Sequence, residues 1–190
     1  GSLKIIKVLH ENLNAFTEIC MKKILLFIFV GICVGGGLSL LTAEMIEHTS
    51  GVEFCSSCHS MKGPALAYKE SVHGGNNQYG VRAQCADCHL PHDSVTHYLV
   101  AKAFTGARDV LGEMFWADSF DWVGNLKNRQ DFTYTTGCQK CHDLDAIQYR
   151  IPKAYLGHKD FKMGVVTSCV QCHEHVGHKD IQTYFTKTNL

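Results

Sequence analysis

The sequence predicts a mainly α-helical protein with long loops, little or no sheet and one N-terminal transmembrane helix. Two observations predict this fold. An uncharged run over residues 24–43 is long enough to cross the roughly 30 Å hydrocarbon core of a bilayer as a helix. The rest of the chain carries four Cys-x-x-Cys-His motifs, the attachment signature of c-type haem. We therefore predict a multihaem cytochrome c domain built of two di-haem modules. Because its porphyrins would supply much of the apolar mass, we expect short helices and long loops around them.

The composition bounds the class of protein. The chain has 190 residues, a length that fits one domain. It carries 18 basic and 18 acidic residues, so there is no basic excess and no nucleic-acid partner is expected. The unusual feature is the count of ten cysteines and twelve histidines. Eight of the cysteines fall in the four motifs, which leaves Cys20 and Cys33 outside them.

The spacing within the motifs follows from the chemistry of haem attachment. Two thiols add to the two vinyl groups of one haem, and the adjacent histidine can bind its iron. A zinc site would need a second ligand pair, and a disulfide framework would not place a histidine after every second cysteine. We therefore predict four covalently attached haem c groups. Their attachment residues are Cys55, Cys58 and His59; Cys85, Cys88 and His89; Cys138, Cys141 and His142; and Cys169, Cys172 and His173.

The N-terminal part of the chain divides at Met21, the more natural start. Residues 1–20 are a mixed extension that could form a short amphipathic helix, and residues 21–46 are the predicted anchor. Lys22 and Lys23 precede the apolar run and predict a cytoplasmic N-terminus, with the rest of the chain on the opposite side. A cleaved signal peptide opens in the same way, but the long apolar run and a poor cleavage site at residues 41–43 favour an uncleaved anchor.

Several glycines lie within the predicted anchor, so one region of this helix lacks bulky side chains. They could pack against a partner helix or against a second copy of the chain in a homo-oligomer. Glycine is also simply common in membrane helices, and the sequence leaves both interpretations open. The residues are Gly31, Gly35, Gly36 and Gly37.

Residues 47–190, the predicted tetrahaem domain, contain an internal repeat. The first cysteines of the two motifs in each half are 30 residues apart in one half and 31 in the other. A lone histidine follows the first motif of each half; these two histidines are His73 and His158. Because such repeats reflect stacked structural units, we predict two modules. They cover about residues 52–97 and 135–180, and residues 98–134 join them.

The joining segment predicts one longer helix. Residues 95–116 carry apolar side chains at helical spacing, although Gly106 and Gly112 weaken the pattern. Lys102 and Asp109 are seven residues apart and therefore share one face of this helix. The aromatic residues that follow show no clear period and predict an irregular stretch packed on haem edges.

Four six-coordinate haems would need four ligands beyond the motif histidines. The repeat singles out His73 and His158, and His178 lies close after the last motif, so three haems have a candidate distal imidazole. His92 could bind an iron or a haem propionate, and His175 is expected at the surface because it lies too close to the last motif to reach another iron.

The first motif differs from the other three. It alone is followed, two residues after its histidine, by a methionine, Met61. A thioether can bind haem iron and raises its potential relative to imidazole. Methionine more often fills gaps in a core, and the spacing alone leaves the two interpretations open.

Together these features resemble the NapC/NirT/NrfH family of membrane-anchored tetrahaem cytochromes, the quinol dehydrogenases of bacterial respiration. The resemblance covers residues 22–180. The stretches that carry it are residues 55–61 (CSSCHSM), 71–73 (SVH), 81–92 (VRAQCADCHLPH) and 102–109 (KAFTGARD), and Cys172 and His173 with His178.

The resemblance implies roles for particular residues. The first haem would be bound through Met61 instead of His59, with the other face of its iron open or shielded by the acid that matches Asp109. Menaquinol or ubiquinol would be oxidised at this haem, beside the bilayer, with Lys102 and Asp109 at the quinol. The resemblance also implies that the distal haem ligands are His73, His158 and His178.

The resemblance further implies a location and a partner. The chain would cross the bacterial inner membrane once and hold its haems in the periplasm. Residues 102–109 resemble the branch that serves a multihaem nitrite reductase, whereas residues 81–83 and His158 resemble the branch that serves a molybdenum nitrate reductase, so the branch stays open. An electron-transfer wire without a quinol site is the second interpretation, and a small reductase acting directly on nitrite or hydroxylamine is the third.

Overall fold

A computed structural model describes residues 1–146 and 151–188 of the chain, apart from the side chains at positions 2, 3, 5, 6, 8, 11, 12, 15 and 186–188. Parts of two predicted segments, residues 147–150 of the second module and residues 189–190 of the tetrahaem domain, lie outside this description. Over the described ranges the structure consists of helices, turns and loops without a strand, which confirms the predicted mainly helical fold. The chain divides into two compact units, Gly1–Glu47 and His48–Leu190.

The first unit is a single long helix, α1, over Ser2–His48. The predicted anchor at residues 21–46 lies entirely within it. Residues 2–20 form its first part and not a separate short helix, because neither glycine nor proline interrupts the chain there and the Lys22 ammonium lies 3.5 Å from the Glu18 carboxylate one turn earlier. The segment Phe16–His48 has a mean hydropathy of 2.6 and is long and apolar enough to cross a membrane.

The second unit contains seven α-helices among its described residues. They are α2 (Val52–Cys55), α3 (Lys62–Lys69), α4 (Cys85–His89), α5 (Val95–Trp116), α6 (Thr135–Gln139), α7 (Pro152–Lys162) and α8 (Gln182–Thr188). Single turns of 3-10 helix lie at Ala117–Ser119, Leu144–Ala146 and Cys169–Gln171, and a longer 3-10 segment covers Gly124–Asp131.

The sequence prediction of a helix at residues 95–116 is confirmed by α5. Its start is fixed by the Ser94 hydroxyl, which accepts a hydrogen bond from the His97 N–H at 3.2 Å. Gly112, which weakened the prediction, has a packing role. The Phe120 ring lies 3.1 Å from the point where a β-carbon on Gly112 would stand, so the aromatic stretch folds back against this glycine.

The protein core of the second unit is small. Among the described residues, its buried apolar residues include Val52, Ala65, Ala67, Tyr68, Ala86, Leu90, Val170 and Ile181. None of the residues in α5 is buried. Its large apolar side chains are exposed; that of Phe104, for example, is 75% exposed. A domain of this length usually buries about two thirds of the surface of its unfolded chain. The polypeptide therefore leaves much apolar surface for another apolar group to cover.

The second and third motifs pack directly against each other. The Tyr134 N–H donates to the Cys88 carbonyl at 2.9 Å. Gly137, in α6, approaches α4 so closely that a β-carbon on it would stand 1.9 Å from the Asp87 carbonyl oxygen. Since that oxygen belongs to the backbone, it cannot move aside as a flexible side chain would.

Replacing Gly137 by Ala should therefore destabilise the protein by about 1–3 kcal/mol, because the added methyl group forces α4 and α6 apart. The measurement is the free energy of unfolding of the haem-loaded protein in a denaturant titration. Gly157→Ala in α7 is the matched control, since a β-carbon there meets no atom within 4 Å. That variant should be neutral or more stable by about 0.5–1 kcal/mol. Equal stabilities of the two variants would contradict the close approach.

Candidate functional site

Six histidines, three of them from the motifs, form three pairs of neighbouring rings, called facing rings below. The ring planes are inclined to each other by 69° in one pair, 33° in the second and 24° in the third. The ring centroids are 6.0 Å apart in two of the pairs and 6.1 Å apart in the third. Two imidazoles that bind one metal ion from opposite sides, with metal–nitrogen distances of about 2 Å, place their centroids about 6 Å apart. The pairs are His73 with His142, His89 with His178, and His158 with His173.

Three of these histidines are held by backbone carbonyls. Nδ1 of His89 lies 2.6 Å from the Phe132 carbonyl oxygen, and the corresponding contacts are His158 to Ala154 at 2.7 Å and His178 to Pro64 at 3.0 Å. A carbonyl oxygen only accepts, so the proton lies on Nδ1 and the Nε2 lone pair is available. Histidines that bind metals are commonly oriented by such a contact.

Burial favours the neutral form of three of the paired imidazoles. It lowers the pKa of His178 to about 4, and it also lowers the pKa values of His89 and His73. The charge of the facing ring adds to this effect at His73 and His178. Because the neutral imidazole is the form that binds a metal, these side chains are in their ligating state near neutral pH.

The cysteines and the space around them also fit haem. The ten thiols are free, as covalent attachment requires. An open volume of about 700 Å³ lies beside His73, Cys172 and His173, a size suited to a large organic ligand. Over the described residues, no cluster of three or more His, Cys, Asp or Glu side chains is arranged around a single point. Paired imidazoles fit a metal whose remaining ligands come from a macrocycle.

The histidine pairing does not follow the repeat. One pair, His158 with His173, lies within the second predicted module. The other two join residues from different modules. The sequence spacing found the members of the pairs but could not show which ring faces which.

The first motif lies apart from this pattern. Within the described part of the chain, His59 has no second imidazole at the distance found for the other three motifs. Met61 is half-buried and stands at the N-terminal end of α3. The Met61 N–H donates to the Cys58 carbonyl at 3.3 Å, and the Lys62 N–H donates to the His59 carbonyl at 3.3 Å, so a tight turn connects the motif to α3.

Glu113, which the sequence analysis did not single out, binds this turn from α5. Its carboxylate accepts hydrogen bonds from the N–H of His59 at 2.7 Å, the N–H of Ser60 at 3.3 Å and the Ser60 hydroxyl at 2.6 Å. The Ser60 hydroxyl makes the largest contribution to the lowered pKa of Glu113, and the two backbone N–H groups add to it. The feature of the sequence that could have pointed to Glu113 is its position four residues after Asp109, on the same helix face.

Lys102 and Asp109 lie on the same side of α5 as Glu113 and act on the first motif. A hydrogen bond from the Cys85 thiol makes the largest contribution to the lowered pKa of the Cys55 thiol; the Lys102 charge lowers this pKa further and the Asp109 charge raises it. Both α5 residues are therefore close enough to sense the same cysteine.

The two α5 side chains have different surroundings. The Lys102 ammonium donates to the Thr49 carbonyl at 3.1 Å and to the Ser50 hydroxyl at 2.9 Å, and burial lowers its pKa. The Asp109 side chain is 74% exposed, with Arg108 4.0 Å away. Neighbouring protein atoms nevertheless desolvate Asp109 and raise its pKa, against the opposing charges of Arg108 and His89.

Two further histidines near the motifs have other positions. The His92 Nε2 lies 3.2 Å from the Ala86 carbonyl oxygen, and the His92 ring packs on Tyr98. His92 therefore braces α4 in this structure. His175 is exposed, as the sequence analysis expected.

Asp87 and Lys140 connect the second motif to the third. The Lys140 ammonium lies 2.6 Å from the Asp87 carboxylate, which also accepts the Gln84 N–H and caps α4. Burial raises the pKa of Asp87, but these hydrogen bonds outweigh burial, so the net pKa is lowered. A lowered pKa in the folded state stabilises the fold above the unfolded pKa of about 3.9, and this contribution is lost as pH falls through the folded value.

Lys140→Met should accordingly destabilise the protein by about 1 kcal/mol near pH 7, and the difference from wild type should shrink below about pH 4 as Asp87 is protonated. The measurement is the free energy of unfolding between pH 3 and pH 7. Lys127→Met, at an exposed position in the 3-10 segment, is the control and should show no such pH dependence. A difference that persists undiminished at pH 3 would contradict the role of this ion pair.

A mainly helical chain that pairs free Cys-x-x-Cys-His motifs with facing imidazoles is a c-type cytochrome, a haem protein of electron transport. The chain belongs to the NapC/NirT cytochrome c family, whose N-terminal region matches residues 18–183. Family membership and the apolar helix α1 together indicate a membrane-anchored cytochrome.

Several known proteins are similar to the chain. The cytochrome c-type protein TorY of Escherichia coli O157:H7 is 33% identical over 166 residues, which cover 81% of this chain and 44% of TorY. The cytochrome c-type protein NapC of Escherichia coli K12 is 28% identical over 92% of this chain and 90% of NapC. A putative tetrahaem c-type cytochrome of Allochromatium vinosum is 30% identical over 77% of this chain and 84% of that protein. The chain thus spans about half the length of TorY and most of the length of the other two.

The fold is also found in a solved structure. The crystal structure of the cytochrome c nitrite reductase NrfHA complex bound to the HQNO inhibitor contains a chain that aligns with a TM-score of 0.56. The alignment has 24% sequence identity and covers 80% of this chain and 90% of that chain. At this identity the likeness is one of fold.

Proposed function

We propose that this protein is a tetrahaem c-type cytochrome that oxidises a membrane quinol at its first haem and passes the electrons to a periplasmic reductase. The observation that carries the proposal is the asymmetry of the four motifs. Three motif histidines face a second imidazole about 6 Å away, whereas the first motif faces α5 with its charged residues Lys102, Asp109 and Glu113.

The pairing supports a ligand assignment for three haems. In our proposal the second haem is bound by His89 and His178, the third by His142 and His73, and the fourth by His173 and His158. Ring separations of 6.0–6.1 Å support each pair. Their Cys-x-x-Cys residues supply the thioether bonds, as in the first motif.

For the first haem we propose Met61 as the iron ligand in place of His59. The support is twofold. The turn after Cys58 brings Met61 directly against the motif, and His59 is the motif histidine without a facing imidazole in the described residues. A thioether ligand raises the haem potential, which suits a site that receives electrons from a quinol.

Quinol oxidation releases two electrons, which would leave singly through the haems, and two protons, which the chain would pass on to water one after the other. Asp109 is the proposed acceptor of a proton from a quinol hydroxyl, because its raised pKa brings its basicity nearer to the working pH. An ammonium has three N–H donors. Two of those on Lys102 bind Thr49 and Ser50, and the third would hold a quinol oxygen. When bound, a c-type haem supplies reversible one-electron transfer, which the protein tunes through ligands and burial.

The proposed topology places the N-terminus in the cytoplasm and the haem domain in the periplasm of a bacterial cell. It is supported by Lys22 and Lys23 ahead of the apolar run. Only six residues lie between the end of α1 at His48 and Cys55, so the chain length supports a first haem near the lipid bilayer. The proposed acceptor is a periplasmic reductase of the nitrite or nitrate type, because residues 102–109 resemble one of these branches of the family and residues 81–83 with His158 resemble the other.

The test is to purify the full-length protein into lipid vesicles and mix it with menaquinol or ubiquinol, followed by a candidate reductase and its substrate. We expect quinol to reduce the haems and the reductase with its substrate to reoxidise them. If dithionite reduces the protein but neither quinol does, while a reduced protein partner does, the chain is a wire without a quinol site. Turnover of nitrite by the protein alone would favour a reductase.

A further inference from the structure

The contact between Glu113 and the first motif is not explained by haem attachment or by quinol binding. Glu113 spans a separation of 54 residues in sequence to reach the His59 N–H at 2.7 Å. Its second carboxylate oxygen accepts the Ser60 hydroxyl at 2.6 Å. A carboxylate that accepts backbone N–H groups makes charge-assisted hydrogen bonds, which are shorter and stronger than neutral ones.

The turn that Glu113 binds is the one that determines where Met61 lies. The N–H groups of Met61 and Lys62 donate back to Cys58 and His59 within the turn. The N–H groups of His59 and Ser60 instead donate to Glu113. The carboxylate thus fixes the two residues that immediately precede Met61, and a displaced turn would leave these donors without their partner.

The same contact fixes the register of α5. Lys102, Asp109 and Glu113 follow one another at intervals of seven and four residues, so they lie along one helix face. Anchoring Glu113 on the motif therefore sets how far Asp109 stands from the first haem site. A helix that slid by one turn would move Asp109 by about 5.4 Å, beyond the reach of a proton acceptor.

We propose that Glu113 is the positioning residue of the first haem site: its carboxylate fixes the His59–Ser60 turn on α5, and it thereby sets both the presentation of Met61 to the iron and the distance of Asp109 from it. This inference rests on the proposed function for the roles of Met61 and Asp109. The contact itself is a property of the folded chain.

Glu113→Ala should increase the population of molecules in which the His59–Ser60 turn is displaced from α5 by at least about tenfold, because it removes hydrogen bonds to a charged group. The spectroscopic signature of sulfur–iron bonding at the first haem should then weaken, and the potential of this haem should fall. The signals of the three bis-imidazole haems and the total haem content should be unchanged. Quinol-driven reduction should slow, with kcat more affected than KM.

Three further variants make the experiment specific. Glu113→Gln keeps an amide oxygen that can accept a backbone N–H and should restore part of the signature. Ser60→Ala removes the hydroxyl contact alone and should give a smaller change, and that change should vanish when combined with Glu113→Ala. Glu53→Ala, at an exposed carboxylate two residues before Cys55, is the matched control and should behave as wild type.

The outcomes separate this proposal from the proposed function. A wild-type spectrum and potential of the first haem in Glu113→Ala would overturn the positioning role, whatever the quinol assay shows. If wild type is not reduced by quinol but Glu113→Ala still alters the first haem, the positioning role stands and the quinol assignment fails. If Glu113→Ala does not fold, Ser60→Ala and Glu113→Gln decide, and wild-type spectra in both overturn the proposal.

Discussion

Asp109→Asn should slow quinol-driven reduction of the protein by about 10²-fold or more, while haem content and reduction by dithionite stay at wild-type levels. The amide is close in shape to the carboxylate but cannot accept the quinol proton. The surroundings of Asp109 raise its pKa, and this raised basicity is what the substitution removes. The measurement is a stopped-flow record of haem reduction by menaquinol, in vesicles, over a range of quinol concentrations.

The matched control for this variant is Asp118→Asn. Asp118 is exposed and lies in the 3-10 turn that follows α5. Menaquinol should reduce the haems of Asp118→Asn at the wild-type rate. A rate for Asp109→Asn within a factor of two of wild type would show that Asp109 is not the proton acceptor. Asp109 would then be a solvated carboxylate on the surface of α5.

His178→Ala should convert the second haem from a six-coordinate low-spin state to a five-coordinate high-spin state. The His178 ring faces His89 with a centroid separation of 6.0 Å, and its Nδ1–H donates to the Pro64 carbonyl at 3.0 Å. The substitution removes both the proposed iron ligand and a contact that spans 114 residues of sequence. Electron paramagnetic resonance and visible spectra of the oxidised protein would show one bis-imidazole signal fewer.

His175→Ala provides the matched control, because the same residue type three positions earlier is exposed. Its spectra should be those of wild type. The two variants also test the pairing itself. If His178→Ala retains three bis-imidazole signals, His178 does not bind the second iron and the assignment of all three pairs loses its geometric basis.

The sequence predicted those features that depend on local pattern. The helix at residues 95–116 follows from apolar spacing, and the anchor follows from an uncharged run. The helix begins earlier than expected, because Met21, as the more natural start, suggested a boundary there. In the structure no helix-breaking residue stands between the two parts, so one helix continues through Ser2–His48.

The features that the sequence did not predict depend on contacts between distant residues. Spacing identified His73, His158 and His178 but not their partners, because two of the three ring pairs form only when the two modules fold together. Glu113 was missed for the same reason. Its partners His59 and Ser60 lie 53–54 residues away. Apart from its place four residues after Asp109, the local pattern around Glu113 is that of an exposed helix carboxylate.

We propose that electrons enter at the first haem, because its motif histidine has no second imidazole about 6 Å away among the residues that the structure describes. The most direct measurement mixes the oxidised wild-type protein in vesicles with menaquinol and freezes samples at increasing times for electron paramagnetic resonance. We expect the signal of the first haem to disappear before, or together with, those of the three bis-imidazole haems, and all four haems to be reduced in the end. Reduction that begins at a bis-imidazole haem while the first haem stays oxidised would contradict it.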